Sequence, residues 1–300
     1  MKPAKGKAPN VTGKDLAFFE LTGIKTKAHP RKTSPRSSRL SPLLSASERG
    51  DVEAIEQLIR SGLSVNETAD PSMAFYHGAD GLILASRHGH LNAVKTLLRH
   101  GARLTTEAGY GSALEEALAG GHHEVVRLLL EKGARNFGFG LFGALEQGHM
   151  EVFEVVAESG IPLGGFLSRH GESLLERAIR RKKDEIAKFL LGMGVKPIDG
   201  GPLVESVARG DAELTQLLIK HGANPNQVNG LKRYPLGVAC SRGHRDIIEI
   251  LLKHGADLAI TDVRGWSCVD WANHGGHKKL IGWLDSIGRK KRMTIPRRGK

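Results

Sequence analysis

The sequence predicts an all-α solenoid, a linear stack of about eight short helix-turn-helix repeats. Three observations support the prediction: glycines recur at similar intervals, apolar residues keep a fixed register to those glycines, and each unit is short. An isolated helix of fewer than about 12 residues is marginal in water, so such units need neighbours. A repeat array provides them, because each unit buries its apolar face against the next unit.

The clearest unit runs from Tyr234 to Asp257. Its first helix is expected to begin at Pro235, because proline lacks an amide hydrogen and its φ is already helical. Three apolar residues share one face of that helix: Leu236, Ala239 and Cys240. Gly243 is expected to turn the chain into a second amphipathic helix, which Gly255 ends in the left-handed conformation.

Eight copies of this unit keep one register. The turn position, which numbers the repeats 1 to 8, holds Gly50, Gly89, Gly121, Gly148, Lys182, Gly210, Gly243 and Gly276. Twelve residues later stands a second glycine: Gly62, Gly101, Gly133, Gly160, Gly194, Gly222, Gly255 and Gly288. An aliphatic residue stands seven positions before each turn: Leu43, Leu82, Leu114, Leu141, Leu175, Leu203, Leu236 or Val269. A small residue stands four positions before each turn: Ala46, Ala85, Ala117, Ala144, Ala178, Ser206, Ala239 or Ala272.

The pattern resembles the ankyrin repeat, whose period is about 33 residues. The matching residues are Pro235-Leu236, Gly243-His244, Gly255-Ala256-Asp257, and Gly121-His122 with Val125 to Leu130. The resemblance covers roughly Leu40 to Gly288 and implies a solenoid with hairpin fingers between the repeats. Turn positions lie 27 to 39 residues apart, so the fingers are expected to be short or irregular.

We expect residues 40–288 to form the repeat domain, between a largely disordered basic tail at 1–39 and a basic tail at 289–300. The first 40 residues carry a net charge of +8 and the last 12 carry +7. Since the whole chain carries +12, the part between them carries −3. An apolar patch at Leu16–Leu21 interrupts the first tail. It is expected either to dock, on the first repeat or on a partner, or to be disordered.

Composition narrows the class of protein. Two cysteines, Cys240 and Cys268, are too few for a disulfide-built secreted domain and indicate reduced thiols, so we expect a cytoplasmic or nuclear location. No apolar run approaches about 18 residues, so no transmembrane segment is expected. The N-terminus has no apolar run typical of a secretory signal.

Several motifs point to chemistry that their context does not favour. Gly138–Gly143 satisfies G-x-G-x-x-G, but nucleotide binding needs a preceding strand, and helices are predicted on both sides. The 14 histidines form no tetrahedral ligand set, and no nucleophile, base and orienting group recur together. We therefore predict no cofactor, no metal and no enzyme activity.

The resemblance places the residues just before each turn on a concave groove and the finger tips beside it. The predicted partner-binding residues on these positions are Arg49, Arg87, His88, Arg180, Arg181, Arg209, Lys232, Arg233, Arg242 and Arg264. An insertion between repeats 1 and 2 adds Tyr76 and His77, which either bind a partner or fold back to shield the array. The second helices begin with acids instead: Glu53, Glu124, Glu151, Glu185, Glu213 and Asp246.

These features predict a monomeric protein-protein interaction module, or adaptor, that holds an acidic segment of a partner protein in a basic groove. The alternative is a nucleic-acid- or ribosome-associated protein whose basic tails and groove arginines bind phosphates. A solvated arginine face that binds nothing also stays open. Trp266, Trp271 and Trp283, all in repeat 8, are expected to seal the exposed end of the core.

Overall fold

The structure, a computed structural model, describes residues 40–70, 73, 76, 78–105, 111–290 and 295–296. Over these residues the chain forms sixteen α-helices and one 3-10 helix and no strand, which confirms the predicted all-α class. None of the helices in these ranges is long and apolar enough to cross a membrane. The N-terminal tail, the patch at residues 16–21 and most of the C-terminal tail lie outside the described residues.

The helices pair into eight repeats, each with a first and a second helix. The first helices are α1 (Pro42–Arg49), α3 (Gly81–Arg87), α5 (Ala113–Ala119), α7 (Gly140–Gln147), α9 (Leu174–Arg180), α11 (Gly201–Arg209), α13 (Pro235–Arg242) and α15 (Cys268–His274). The second helices are α2 (Val52–Arg60), α4 (Leu91–Arg99), α6 (His123–Glu131), α8 (Met150–Glu158), α10 (Asp184–Gly192), α12 (Ala212–Lys220), α14 (Arg245–Lys253) and α16 (Lys278–Lys290). The 3-10 helix, Leu163–Gly165, lies between α8 and α9.

The core lies between two layers of helices. Each first helix packs against the first helices of its neighbours, and it also packs against the second helix of its own repeat. Every residue seven or four positions before a turn is buried, and none of these side chains is more than 4% exposed. The predicted register is therefore the packing register of the array.

The turn position has a left-handed backbone in all eight repeats. Seven are glycines, for which this conformation carries no steric cost. The eighth is Lys182, at a φ of 56°, which confirms its predicted place in the register. The last of the second glycines differs from prediction, because Gly288 lies inside α16, which continues to Lys290. The predicted domain boundaries, after residue 39 and after residue 288, stay predictions.

Histidines that follow turn glycines tie neighbouring repeats together. The ring Nε2 of His90 donates to the carbonyl oxygen of Glu48 at 3.0 Å, and His122 Nε2 donates to that of Arg87 at 2.9 Å. His277 Nε2 lies 3.1 Å from the carbonyl oxygen of Ser241 in the same way. Each imidazole lies against the turn glycine of the preceding repeat, where a Cβ would clash with the ring. The small residue therefore serves both the turn and the repeat interface.

Candidate protein-binding groove

The groove face is the surface formed by the finger tips and by residues one, two and five positions before each turn. These positions meet across successive repeats. Arg87, two positions before its turn, donates from Nε to Glu116 Oε2 of the next repeat at 2.9 Å. Ion pairs between repeats therefore decide which charges on this face are available to a partner.

Tyr76, in the finger inserted after repeat 1, contacts the groove face. Tyr76 Oη donates to Glu48 Oε1 at 2.8 Å, and the Tyr76 ring packs against the core. This hydrogen bond, followed by desolvation, raises the pKa of Tyr76. For Tyr76 the contact fits the shielding interpretation of the insertion, whereas His77 lies outside the described residues.

Glu48 also approaches the next repeat, where its Oε1 lies 3.9 Å from Nε2 of His88. Arg49, beside it in the chain, is exposed and donates to Ser45 Oγ at 2.7 Å. Repeat 1 thus places one acid and one arginine on the same surface. The charge at this end of the groove face is mixed.

Two glutamates clamp the arginines of repeat 5. Glu146 accepts from Arg177 Nη1 at 2.8 Å and lies 3.0 Å from Arg181 Nε. Glu172, only 6% exposed, accepts from Arg177 Nε at 2.5 Å and pairs with Arg180. Partial burial opposes ionisation of Glu146, but the guanidinium groups of Arg177 and Arg181 lower its pKa overall. The predicted partner-binding residues Arg180 and Arg181 therefore already have carboxylates within the chain.

Arg209 is the most enclosed arginine of the predicted set. Its Nη1 and Nη2 reach the two carboxylate oxygens of Asp184 at 3.0 and 2.9 Å, and Nη1 also donates to the Ile179 carbonyl oxygen at 2.9 Å. The hydrogen bond to Asp184 is the main cause of its raised pKa. Its side chain is only 15% exposed, so this predicted partner-binding residue is largely enclosed within the array. Repeat 6 has Asp211 and not a histidine after its turn glycine, and Arg209 links repeats 5 and 6 through Ile179 and Asp184.

The C-terminal end of the groove face is different. Arg233 and Arg242 are exposed, and neither has an ion-pair partner among the residues that the structure describes. They flank a cavity of about 180 Å³ that opens between repeats 6, 7 and 8. Its other lining residues are Ala208, Tyr234, Gly237, Val238, Ser241, Asp262 and Trp271. The cavity has apolar or aromatic walls at Val238, Tyr234 and Trp271 and two guanidinium groups without an ion-pair partner in the described residues. It also has one carboxylate, Asp262, whose Oδ1 already accepts two backbone N–H bonds. Two arginines against one acid make it a suitable site for an apolar side chain next to carboxylates.

The finger tips beside the cavity have a fixed backbone. Asn229 and Asp262 each accept two backbone N–H bonds, from the residues two and four positions later, at 2.8 to 3.0 Å. Lys232 adopts a left-handed φ of 57° in the first of these turns, as Gly265 does in the second at 75°. These bonds hold the backbone of the exposed Arg233 and Arg264 in place. Both arginines thus have a preorganised backbone at the positions predicted for them.

Two exposed aliphatic side chains on these tips are not among the predicted partner-binding residues. Leu231 is 72% exposed and Val263 is 79% exposed, and each stands one residue from a basic side chain. The predicted finger residues are basic or aromatic, and these two are aliphatic. An isolated apolar residue within a polar turn could have identified them.

The tryptophans of repeat 8 divide between two surfaces. Trp283 packs on the core, with the guanidinium of Arg245 4.7 Å from its ring centre, in line with the predicted sealing role. Trp266, Trp271 and His274 instead form a ring cluster with centroid distances of 4.8 to 5.9 Å. Because Trp271 is half-buried and lines the cavity, sealing the core is not its only role.

The glycine-rich stretch at 138–143 holds a carboxylate of the chain itself. Glu115 Oε1 accepts from the backbone N–H of Phe139 at 2.8 Å, just before α7 begins. A Cβ at Gly138 would stand 2.2 Å from that carboxylate, so the glycine makes the close approach possible. Burial raises the pKa of Glu115. Within the described ranges, no group of three or more His, Cys, Asp or Glu side chains could hold a metal ion.

Comparisons with known proteins agree with the geometry of the repeats. A family model described as "Ankyrin repeats (3 copies)" matches residues 43–139 and 203–292, more than half of the chain. The ankyrin repeat and KH domain-containing protein mask-1 of Caenorhabditis elegans is 25% identical over 228 residues. That alignment covers 73% of this chain but only 8% of that relative. The solved ankyrin repeat domain of human ASB11 has 21% identity and a TM-score of 0.43, over 81% of this chain and 98% of that one.

Proposed function

Because this chain belongs to the ankyrin repeat family, whose members are generally protein-protein interaction modules, we propose that it is a non-catalytic adaptor. Its groove face binds an acidic segment of a partner protein at the end formed by repeats 6 to 8. A cytoplasmic or nuclear location is part of the proposal. Cys240 and Cys268, which are buried and not joined in a disulfide, support a reducing compartment.

The observation that carries the proposal is the cavity between Arg233 and Arg242. A guanidinium binds a carboxylate through two parallel hydrogen bonds, and these two arginines have donors available. The cavity of about 180 Å³ gives an apolar side chain of the segment an aromatic wall at Trp271. A segment with an apolar residue between acids complements both features.

The middle of the groove face is less suitable for this partner. Arg87, Arg180, Arg181 and Arg209 already contact carboxylates of this chain. A partner carboxylate would have to compete with a carboxylate that is already in place, so the exchange brings little net free energy. Specific recognition of an acidic segment therefore belongs at the C-terminal end.

The test is a titration of the full chain against the proteins that it captures from a nuclease-treated lysate. The double variant Arg233→Glu with Arg242→Glu should bind at least about tenfold more weakly, because hydrogen bonds to charged groups contribute about 1.5–3 kcal/mol. The matched control is Lys220→Glu with Lys253→Glu, an equal charge change at exposed positions of α12 and α14. Circular dichroism checks that both variants fold.

Equal affinity of the two variants would disprove the proposed site. Capture that disappears on nuclease treatment and falls steeply with salt would favour the alternative, a nucleic-acid- or ribosome-associated protein. A protein groove keeps the apolar share of its affinity at high salt. The salt titration therefore separates the two functions.

A further inference from the structure

The outer face, formed by the second helices, has a cavity of about 830 Å³ across repeats 1 to 3. We call it the outer groove and define it by α4 together with Val52, Leu104, Leu128 and Lys132. It lies on the second helices, whereas the cavity at Arg242 lies on the first helices and fingers. The outer groove is thus separate from the site proposed above.

The floor of the outer groove is aliphatic. Val52, Leu98, Leu104 and Leu128, which come from three successive repeats, pack on the core yet are only half-buried. Their remaining apolar surface faces the cavity. Covering apolar surface is favourable in proportion to the area removed from water, so this floor favours an apolar partner.

The rim of the outer groove is more basic than the same position on most other second helices. Six second helices have an acid three residues after the turn, whereas α4 has Asn92 there and no acid along its length. Lys95 and Lys132 are exposed and have no ion-pair partner within the described part of the chain. Arg99 completes the rim, although it also lies 3.5 Å from Glu56, and the acid Glu53 stands at one end.

We propose that the outer groove binds an acidic amphipathic helix of a partner protein. Helix backbones flank the groove and use their own hydrogen-bonding groups, so recognition depends on buried side chains, as when a helix lies in an apolar groove. Three neighbouring helices at about 10 Å separation span about 20 Å, the length of a helix of about 13 residues. Apolar residues of that helix meet the aliphatic floor, and its acids meet Lys95, Arg99 and Lys132. The adaptor then binds two segments on separate faces.

The probe is a fluorescein-labelled peptide of about 16 residues with leucines on one helix face and glutamates on both flanks. Two further peptides are controls: one with the same composition but scattered leucines, and one with lysine in place of each glutamate. Fluorescence anisotropy with the full chain gives the affinities. Backbone hydrogen exchange with and without peptide locates the binding surface.

The amphipathic acidic peptide should bind at least about tenfold more tightly than either control peptide, and should slow hydrogen exchange in α2, α4 and α6. Lys95→Glu with Lys132→Glu should lower its affinity by about tenfold or more, whereas the outer-face control, Lys220→Glu with Lys253→Glu, should not. Both variants leave the aliphatic floor intact, so loss of folding does not obscure the result.

Four outcomes would overturn the proposal. They are no binding at about 1 mM peptide, equal affinity of the two lysine variants, protection only outside α2, α4 and α6, and self-association that the Lys95/Lys132 variant abolishes. The last would show that a second copy of the chain fills the outer groove. Loss of peptide binding only in the Arg233/Arg242 variant would place the peptide on the groove face. That result refutes the outer groove and leaves the proposed function intact.

Discussion

Arg209 and Arg242 occupy the same register position, immediately before the turn glycine, one repeat apart. Arg209 is 15% exposed and holds both carboxylate oxygens of Asp184, whereas Arg242 is exposed beside an open cavity. The difference arises one repeat earlier. Two positions after the turn, repeat 5 has Asp184, but repeat 6 has Ala212. For these two arginines, the residue at that one position in the preceding repeat separates the arginine that joins repeats from the one that is available to a partner.

The largest expected effect tests whether Arg209 is structural. Arg209→Glu should lower the free energy of unfolding by about 2–4 kcal/mol, because it places a like charge against Asp184 and leaves a half-enclosed carboxylate without its partner. Arg242→Glu should change it by less than about 0.5 kcal/mol, as expected for an exposed side chain. Urea unfolding of both variants measures the difference. Equal effects would remove the distinction between the two arginines.

A smaller effect is expected at the clamp of repeat 5. Arg177→Met should cost about 1–2 kcal/mol at neutral pH, because Glu146 and Glu172 lose a charged hydrogen-bond donor. The pKa of Glu146 is lowered in the folded chain, so its contribution is present above the pKa of glutamate in the unfolded chain. It is lost as the pH falls through the lower folded pKa. The gap between wild type and variant, measured by urea unfolding, should therefore narrow toward acid pH, and a constant gap would contradict the clamp.

The comparison predicts that Arg242 can be converted into a second Arg209. Ala212→Asp places an acid two positions after the turn of repeat 6, as Asp184 stands in repeat 5. A new ion pair with Arg242 should weaken binding of an acidic partner about fivefold, near 1 kcal/mol. Calorimetric titration with the captured partner measures the affinity, and Ala212→Asn is the uncharged control. Unchanged affinity in Ala212→Asp would show that position 212 does not decide the role of Arg242.

The smallest expected effect concerns the turn of repeat 5 itself. Lys182 adopts a left-handed φ of 56°, which costs a residue with a Cβ about 1 kcal/mol. Lys182→Gly should therefore raise the free energy of unfolding by about 0.5–1 kcal/mol, despite the entropy that glycine adds to the unfolded chain. Thermal unfolding checks the sign. A lower midpoint for the variant would mean that the lysine side chain contributes more than the strain costs.

The register of the repeats could be predicted from the sequence because it depends on residues close together in the chain. Leu236, Ala239 and Gly243 lie within eight residues, and Lys182 was placed correctly by counting alone. The pairing of Arg209 could not be predicted in this way. Its partner Asp184 is 25 residues away and in another repeat. In the sequence, a paired arginine before a turn cannot be distinguished from an unpaired one.

The candidate site was predicted only in part for the same reason. The finger positions of Arg233 and Arg264 followed from the resemblance, but the cavity needs Ala208, Val238 and Trp271 from three repeats to meet. The sequence indicates the type of each residue and its position in its own repeat. Which of these positions stay open is decided by the packing of neighbours.

The hydrogen bonds from His90, His122 and His277 all point toward the N-terminus, which matters during synthesis of the chain. Each imidazole reaches back to a carbonyl 35 to 42 residues earlier in the chain. During synthesis from the N-terminus, the turn of one repeat is therefore secured only after the ribosome has added the helix-turn of the next. At these three joints, a growing chain therefore leaves the earlier turn without its histidine until the next repeat has been made.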